Sequence, residues 1–436
     1  MSEVYAIVML ITLVVLVIAG VRLAFALMGL AVLFGLMFRG PAALSLFMTS
    51  TFGIMSNEIL IAVPLFVFMG AILERSGATE KLFETLFKLM GPMRGGLAIA
   101  AIIISTIFAA CTGVIAASVT AMAMIAMPAM LRRRYAPDVA TGVVCSGGSL
   151  GILIPPSVML VMLGPMTQLS VAALFAGAIG PGLMLSAAYI VYIILRGIFD
   201  PKALPAIDKS SRDISVGRLL LDTIIYLIPI LGLLVAVIGS ILGGVTSPTE
   251  ASALGVAGAA IIALIYRRFD LKKLKESLRE SITVTAMVFF VILGAGMFTS
   301  VFLYLGGGRV IERAILSLPL GSYGILAIMM LTIFILGMLI DYIGILYIVV
   351  PIFLPVIIEL GINPLWFVVL IAVNLQMSFI TPPFAYAIFF VKGVAPPTIK
   401  TTDIYRGVVP FVVAQIIVLA LCIIFPDVIL ALPNRF

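Results

Sequence analysis

Oxygen-bearing and helix-breaking residues gather at four places inside otherwise apolar runs: Cys111-Thr112-Gly113, Gly147 to Ser157 (GGSLGILIPPS), Gly337 to Asp341 (GMLID), and Asn374 with Ser378 to Phe384 (SFITPPF). Pro155-Pro156 and Pro382-Pro383 remove amide donors and clash with the preceding turn, so each helix that holds them should break and restart. A break leaves carbonyls at the end of one half-helix and amides at the start of the next, so one place can hold a cation and a carboxylate together. Oxygen-only ligation suits sodium. In lipid an unpaired backbone group costs several kcal/mol, so such breaks persist only where they are packed in protein or line a solute site.

The first expected sodium site joins Cys111, Thr112 and Gly113 to Gly148, Ser149, Gly151 and Ile154, mostly through backbone carbonyls. Its glycines also fit a plain role in close helix packing. The second joins Gly337 and Asp341 to Asn374, Thr381 and Pro382. Asp341 is the carboxylate deepest in an apolar run, where ionisation costs about 2.5–3.5 kcal/mol on the insertion scale. A bound sodium would compensate it, and so would an aqueous cavity. Asn374 could equally bridge two helices. The hydroxyls of Thr112, Ser149, Ser157 and Thr381 are the candidates for meeting a substrate carboxylate.

Composition limits the other chemistries. The chain of 436 residues is 63% hydrophobic and 10% charged, with no histidine, which fits a polytopic membrane protein without a large soluble domain. Without histidine, and with one deep carboxylate, there is no acid and base pair for an enzyme. No transition-metal site or organic cofactor is expected. Cys111, Cys145 and Cys422 lack paired spacing, so neither a disulfide framework nor a thiolate site is indicated. The net charge of +7 sits in short loops beside apolar spans, the positive-inside pattern rather than a nucleic-acid surface. Glu3 stands where a signal peptide would be basic, so the first apolar run reads as a span.

Apolar runs place spans near Val4 to Gly20, Leu23 to Phe38 and Glu58 to Leu73, then an interfacial stretch from Thr79 to Met93. Gly95 to Leu131 is about twice one crossing, with basic residues at both ends, and reads as a re-entrant hairpin. A broken helix from Asp138 to Leu163 and a span from Val171 to Leu195 complete the half. The second half repeats the order: spans near Leu219 to Ser240, Ala251 to Tyr266 and Ile282 to Leu305, then the amphipathic piece Arg309 to Leu318. A hairpin from Tyr323 to Ile358, a broken helix from Pro364 to Val391 and a span from Gly407 to Phe425 follow. An offset of 227 residues maps Pro156 onto Pro383 and Gly113 onto Ile340, the mark of a duplication. Ser247 to Glu250 reads as a helix start with a capping box.

Five crossings per half place the halves in opposite orientations. With both termini outside, the inner loops, among them Arg132 to Arg134, Arg196 to Arg218 and Arg267 to Arg279, take 22 of the 26 basic residues. The fold class expected is an all-α polytopic membrane protein, an inverted repeat of two five-span halves, each with a re-entrant helical hairpin and a broken helix. Residues 1–75 and 219–305 would form a scaffold, 95–195 and 322–425 the two halves of a transport domain, and 76–94 and 306–321 the arms between them. Residues 196–218 would be a cytoplasmic loop and 426–436 a tail.

The same residues resemble a known family over nearly the whole chain, through ILIPPS (Ile152 to Ser157), TSPTEA (Thr246 to Ala251), GMLID (Gly337 to Asp341), Gly361-Ile362-Asn363-Pro364, and Asn374 with Thr381-Pro382-Pro383. They resemble the large membrane subunit of the tripartite ATP-independent periplasmic (TRAP) transporters. The resemblance implies sodium-driven uptake of an organic acid by an elevator mechanism in a bacterial or archaeal inner membrane. It also implies two partners, a periplasmic substrate-binding protein and a small four-span membrane subunit. The first tip departs from the SGSS often found in the family, which favours backbone carbonyls at Cys111-Thr112-Gly113. The expected substrate is a keto acid, hydroxy acid or other small carboxylate. A one-component sodium and anion symporter of related fold, needing no partners, is the alternative.

Overall fold

The computed structural model describes residues 2–90, 93–206, 216–266, 270–383 and 385–435. Phe384 and the loop residues Lys209, Arg212, Arg267 and Arg268 lie outside them. Among the described residues every regular element is helical. The first half runs α1 (Ser2–Ile18), α2 (Leu23–Arg39), α3 (Ala42–Met55), α4 (Ala62–Arg75) and the amphipathic α5 (Ala78–Met90). A hairpin of α6 (Gly96–Thr112) and α7 (Ile115–Arg132) follows, then α8 (Pro137–Ser149), α9 (Val158–Thr167) and α10 (Val171–Phe199).

The second half runs α11 (Val216–Leu242), α12 (Pro248–Ile265), α13 (Leu271–Tyr304) and the amphipathic α14 (Gly307–Leu316). Its hairpin is α15 (Ser322–Gly337) and α16 (Tyr342–Glu359), its interrupted helix α17 (Pro364–Ser378) and α18 (Tyr386–Val394), and α19 (Thr401–Ile424) with the short α20 (Asp427–Leu430) closes it. The succession of hairpin, broken helix and long helix therefore occurs twice. Among the described residues seven helices are long and apolar enough to cross a membrane alone, while α1 and α2, at 17 residues each, reach about 25 Å.

The broken helices are the most deeply packed elements. Every residue from Val139 to Ser149 of α8 and from Trp366 to Ser378 of α17 is buried. A helix apolar on all sides belongs inside a bundle; that burial encloses the first interruption, whose Pro155 and Pro156 are buried, whereas Pro382 and Pro383 of the second are exposed. The outer helices instead expose Ile11, Val15, Ile228, Val235, Val413 and Ile417, a surface suited to acyl chains.

The halves interlock. Ser277 and Ser281 of α13 donate to the Ala71 and Pro64 carbonyls of α4 at 3.2 and 3.1 Å, and Arg75 pairs with Glu280 at 2.5 Å. On the other side α8 crosses α19 at glycine: a methyl group on Gly142 would lie 2.2 Å from the Gly407 carbonyl oxygen. The Ser247 to Glu250 capping box is present, with the Glu250 amide donating to Ser247 Oγ at 3.2 Å and the Ser247 amide to Glu250 Oε2 at 2.7 Å.

One helix was not legible beforehand. α3 is bent by 57° from the segment Glu58–Arg75 that follows, and Asn57 caps the restart by accepting the Ile59 amide at 3.1 Å. Its Ser, Thr and Gly residues dilute the apolar pattern that marks the other spans.

Candidate functional site

The first hairpin turns at Gly113, where α6 ends in the left-handed conformation (φ +59°) and the Gly113 amide closes on the Ala109 carbonyl at 3.1 Å. A side chain is disfavoured there by backbone conformation and by space. A methyl group on Gly113 would lie 3.3 Å from the Val158 amide nitrogen and 3.5 Å from the Pro156 carbonyl oxygen. The tip therefore sits directly on the first break, as the expected pairing requires.

The break begins with a 3-10 turn at Leu150–Ile152 and holds the cis peptide Pro155-Pro156. Its glycines all meet the hairpin. A methyl group would lie 2.4 Å from Val119 Cγ2 at Gly148, and 3.1 Å from the Ala109 carbonyl oxygen at Gly151. Ser118 of α7 donates to the Gly148 carbonyl at 2.7 Å, a tie that the spacing of motifs did not reveal. That carbonyl keeps a second lone pair for a ligand.

Several predicted donors are otherwise engaged. Ser149 Oγ donates to the Ser146 carbonyl at 2.9 Å. Ser157 caps α9, donating to the Ile152 carbonyl while accepting the Leu160 amide at 3.4 Å. The Thr112 hydroxyl reaches the Ala109 carbonyl at 3.4 Å. The Cys111 carbonyl faces α4, where a methyl group on Gly70 would lie 2.9 Å from it, and Ile154 packs against Gly182. A hydroxyl that donates its proton keeps its oxygen lone pairs, so the Thr112 and Ser149 oxygens stay open to a cation alongside the backbone carbonyls.

The second tip meets the second break as closely. A methyl group on Gly337 would lie 2.3 Å from Ser378 Oγ, and Ser378 donates to the Phe334 carbonyl at 3.2 Å. Asp341 is the N-cap of α16, its Oδ2 accepting the Ile343 amide at 3.3 Å, so the positive end of that helix supports its charge. Thr381 Oγ1 donates back to the Met377 carbonyl at 2.7 Å, ahead of the cis peptide Pro382-Pro383. The Ala387 amide spans the break to the Phe379 carbonyl at 3.1 Å.

Asn374 lies farther from the tip than expected. Its Nδ2 donates to the Met330 carbonyl at 2.6 Å, and Met330 is seven residues, about 10 Å, up α15 from Gly337. Its side chain thus bridges α15 and α17. Its Oδ1 is buried without a hydrogen-bond partner. The carboxylate of Asp341 and that orphan oxygen fit an alkali cation better than any transition metal.

A carboxylate that the sequence pattern passed over lies beside the first tip. Val67, Ala71 and Glu74 of α4, Thr112 and Val114 of the tip, and Glu280 of α13 line a cavity of about 60 Å³, large enough to hold water. Glu74 Oε2 is buried there without a hydrogen-bond partner.

The family model described as tripartite ATP-independent periplasmic transporter, DctM component, matches residues 10–428. The C4-dicarboxylate TRAP transporter large permease protein DctM of Pseudomonas aeruginosa is 33% identical over 395 residues, 90% of this chain and 89% of that one. The sialic acid TRAP transporter large permease protein SiaM of Vibrio cholerae is 30% identical over 431 residues, 96% of each. In fold, the chain is similar to the Alcanivorax borkumensis YdaH transporter, with a TM-score of 0.63 at 13% identity over 95% of this chain and 99% of that one. A family match across nearly the whole length, with relatives about a third identical from end to end, makes this chain a large permease (DctM) component of the tripartite ATP-independent periplasmic transporters, a membrane transport subunit and not an enzyme.

Proposed function

We propose that this permease imports a small organic acid as its carboxylate, driven by sodium and delivered by a periplasmic binding protein, with a small four-span membrane subunit bracing it. The observation that carries this reading is the pair of breaks, each touched by a hairpin tip: Gly113 on Pro156 and Val158, Gly337 on Ser378. Such places supply carbonyl oxygens for a cation beside amides for a carboxylate. Relatives named for C4-dicarboxylates and sialic acid support an acidic substrate.

The cation would be held by backbone carbonyls around Gly113 and Gly148 at the first pair, and by Asp341 with backbone carbonyls of the second tip and break at the other. Sodium supplies charge and order, not chemistry. Two ions with one monoanion move one net charge inward, about 2.3 kcal/mol at 100 mV, which concentrates substrate roughly fiftyfold before the sodium gradient is counted. In the elevator reading, the hairpins, broken helices, α10 and α19 slide against α2, α4, α12 and α13, with α5 and α14 as the arms. Both termini would then face the periplasm of a bacterial or archaeal inner membrane.

The test is uptake of candidate carboxylates into proteoliposomes holding this chain, with and without the binding protein and small subunit, under an inward sodium gradient. Uptake that needs sodium and all three proteins is the expected result. Uptake by this chain alone would favour a one-component symporter, and uptake indifferent to sodium would overturn the cation sites.

A further inference from the structure

Gln376 is the polar side chain that the site described above leaves without a role. It lies on α17, is 0% exposed, and neither its Nε2 nor its Oε1 has a hydrogen-bond partner. A carboxamide brings two donors and an acceptor oxygen with two lone pairs. Buried with all of them unused, it is costly to keep, and a well-packed core would replace it with leucine or methionine unless some state of the protein used it.

Its direction follows from helical register. Asn374, two residues earlier, donates to Met330 on α15, and Ser378, two residues later, donates to Phe334 on the same helix. Each is about 200° of rotation from Gln376, which therefore points away from the second hairpin. Val369 is seven residues earlier and so on the face of Gln376. It packs on α10 at Gly177, where a methyl group would lie 3.2 Å from Val369 Cγ2. One and a half turns along α10, Gly182 abuts Ile154 of the first break, with 2.7 Å from such a methyl group to Ile154 Cγ1. α17 itself touches the Leu150–Ile152 turn. Gln376 is thus the polar group that α17 presents toward the first break, two turns below Val369 and one and a half turns above its own Pro-Pro pair. The stretch between Ile152 and Val158 is outside any helix, and its carbonyls are the natural partners of a free amide.

We propose that Gln376 is a positioning residue that links the two breaks: when cations are bound, its carboxamide bonds to the non-helical backbone of Leu153 to Pro156, so that ordering one tip-and-break pair orders the other. The inference rests on the sodium-coupled reading above.

The test compares thermal unfolding of the full chain in detergent, in choline chloride and in sodium chloride, for the wild type, Gln376→Leu and Gln376→Met. The wild type should gain stability in sodium. Both variants should be at least as stable as the wild type in choline, because an unpaired amide is gone, and should lose more than half of the sodium-induced shift. In reconstituted uptake their Hill coefficient for sodium should fall toward one. A variant less stable in choline with its sodium shift intact would make Gln376 a structural residue and overturn the proposal, as would a variant unchanged on both counts. If Gln376→Leu fails to fold, Gln376→Met is read by the same criteria, and failure of both also overturns it. A wild type indifferent to sodium would remove the sodium-coupled reading itself, whereas a sodium shift kept by the variants removes this inference alone.

Discussion

Gly70 of α4 and Thr112 of the first hairpin tip touch backbone to backbone: a methyl group on Gly70 would lie 2.7 Å from Thr112 Cα. In the proposed elevator cycle this contact must part at some point, because α4 and the tip would belong to bodies that slide past each other. Gly70→Val therefore penalises the arrangement seen here more than one in which the tip has moved. Overpacking of this kind costs about 1–3 kcal/mol, which is roughly five- to more than a hundredfold in a conformational equilibrium. Reconstituted uptake should fall at least fivefold with expression retained, while Gly53→Val, which meets nothing within 4 Å, should leave uptake near normal. Wild-type uptake by Gly70→Val would mean that the contact takes no part in the working cycle.

The crossing of α8 with α19 predicts a loss of stability rather than of coupling. A side chain on Gly142 would meet the Gly407 carbonyl oxygen at 2.2 Å, and one on Gly407 would meet the Asp138 carbonyl oxygen at 2.1 Å. Neither neighbour is a flexible side chain that could give way. Gly142→Ala and Gly407→Ala should each destabilise by about 1–3 kcal/mol, seen as a lower unfolding temperature in detergent. Gly239→Ala in α11, with open space around it, should be neutral or stabilising by up to about 1 kcal/mol, since alanine favours the helix. Equal shifts at all three positions would contradict the close crossing.

The hairpins, breaks and amphipathic connectors were legible because each is announced locally. Two proline pairs, two double-length apolar runs and two short charged stretches fall within a few residues of α5 to α9 and α14 to α18. Orientation of side chains was not. Ser149, Ser157 and Thr381 look like ligands by type, yet each hydroxyl turns back to a carbonyl of its own segment, the local competition that short polar side chains offer everywhere. Glu74 stands one residue past the apolar run Glu58 to Leu73, and only tertiary packing brings it beside Thr112. Gln376 carried no signal at all, because one amide in an apolar helix looks the same whether it is paired or orphaned.

Ser118 and Ser149 offer a direct comparison between what the structure shows and what residue type suggested. Ser118 crosses from α7 to hold the Gly148 carbonyl at 2.7 Å, whereas Ser149 bonds to its own helix. Ser118→Ala should cost about 0.5–1.5 kcal/mol of stability and raise the sodium concentration for half-maximal uptake severalfold, because the break then loses its tie to the hairpin. Ser149→Ala should change neither by more than about twofold. The opposite ranking in sodium-titrated uptake would restore Ser149 as a ligand and leave Ser118 a packing residue.

Asp341 has two roles that a pair of substitutions can separate. It caps α16 through Ile343, and in the proposed function its charge attracts the second cation. Asparagine caps a helix about as well as aspartate but carries no charge. Asp341→Asn should therefore keep the wild-type unfolding temperature in sodium-free buffer while weakening sodium-dependent uptake at least tenfold. Asp341→Ala should lose the cap as well, about 0.5–2 kcal/mol, and lower both. If Asp341→Asn transports with the sodium dependence of the wild type, the carboxylate serves the helix alone, and the second site must be built from backbone oxygens and the unpartnered Oδ1 of Asn374.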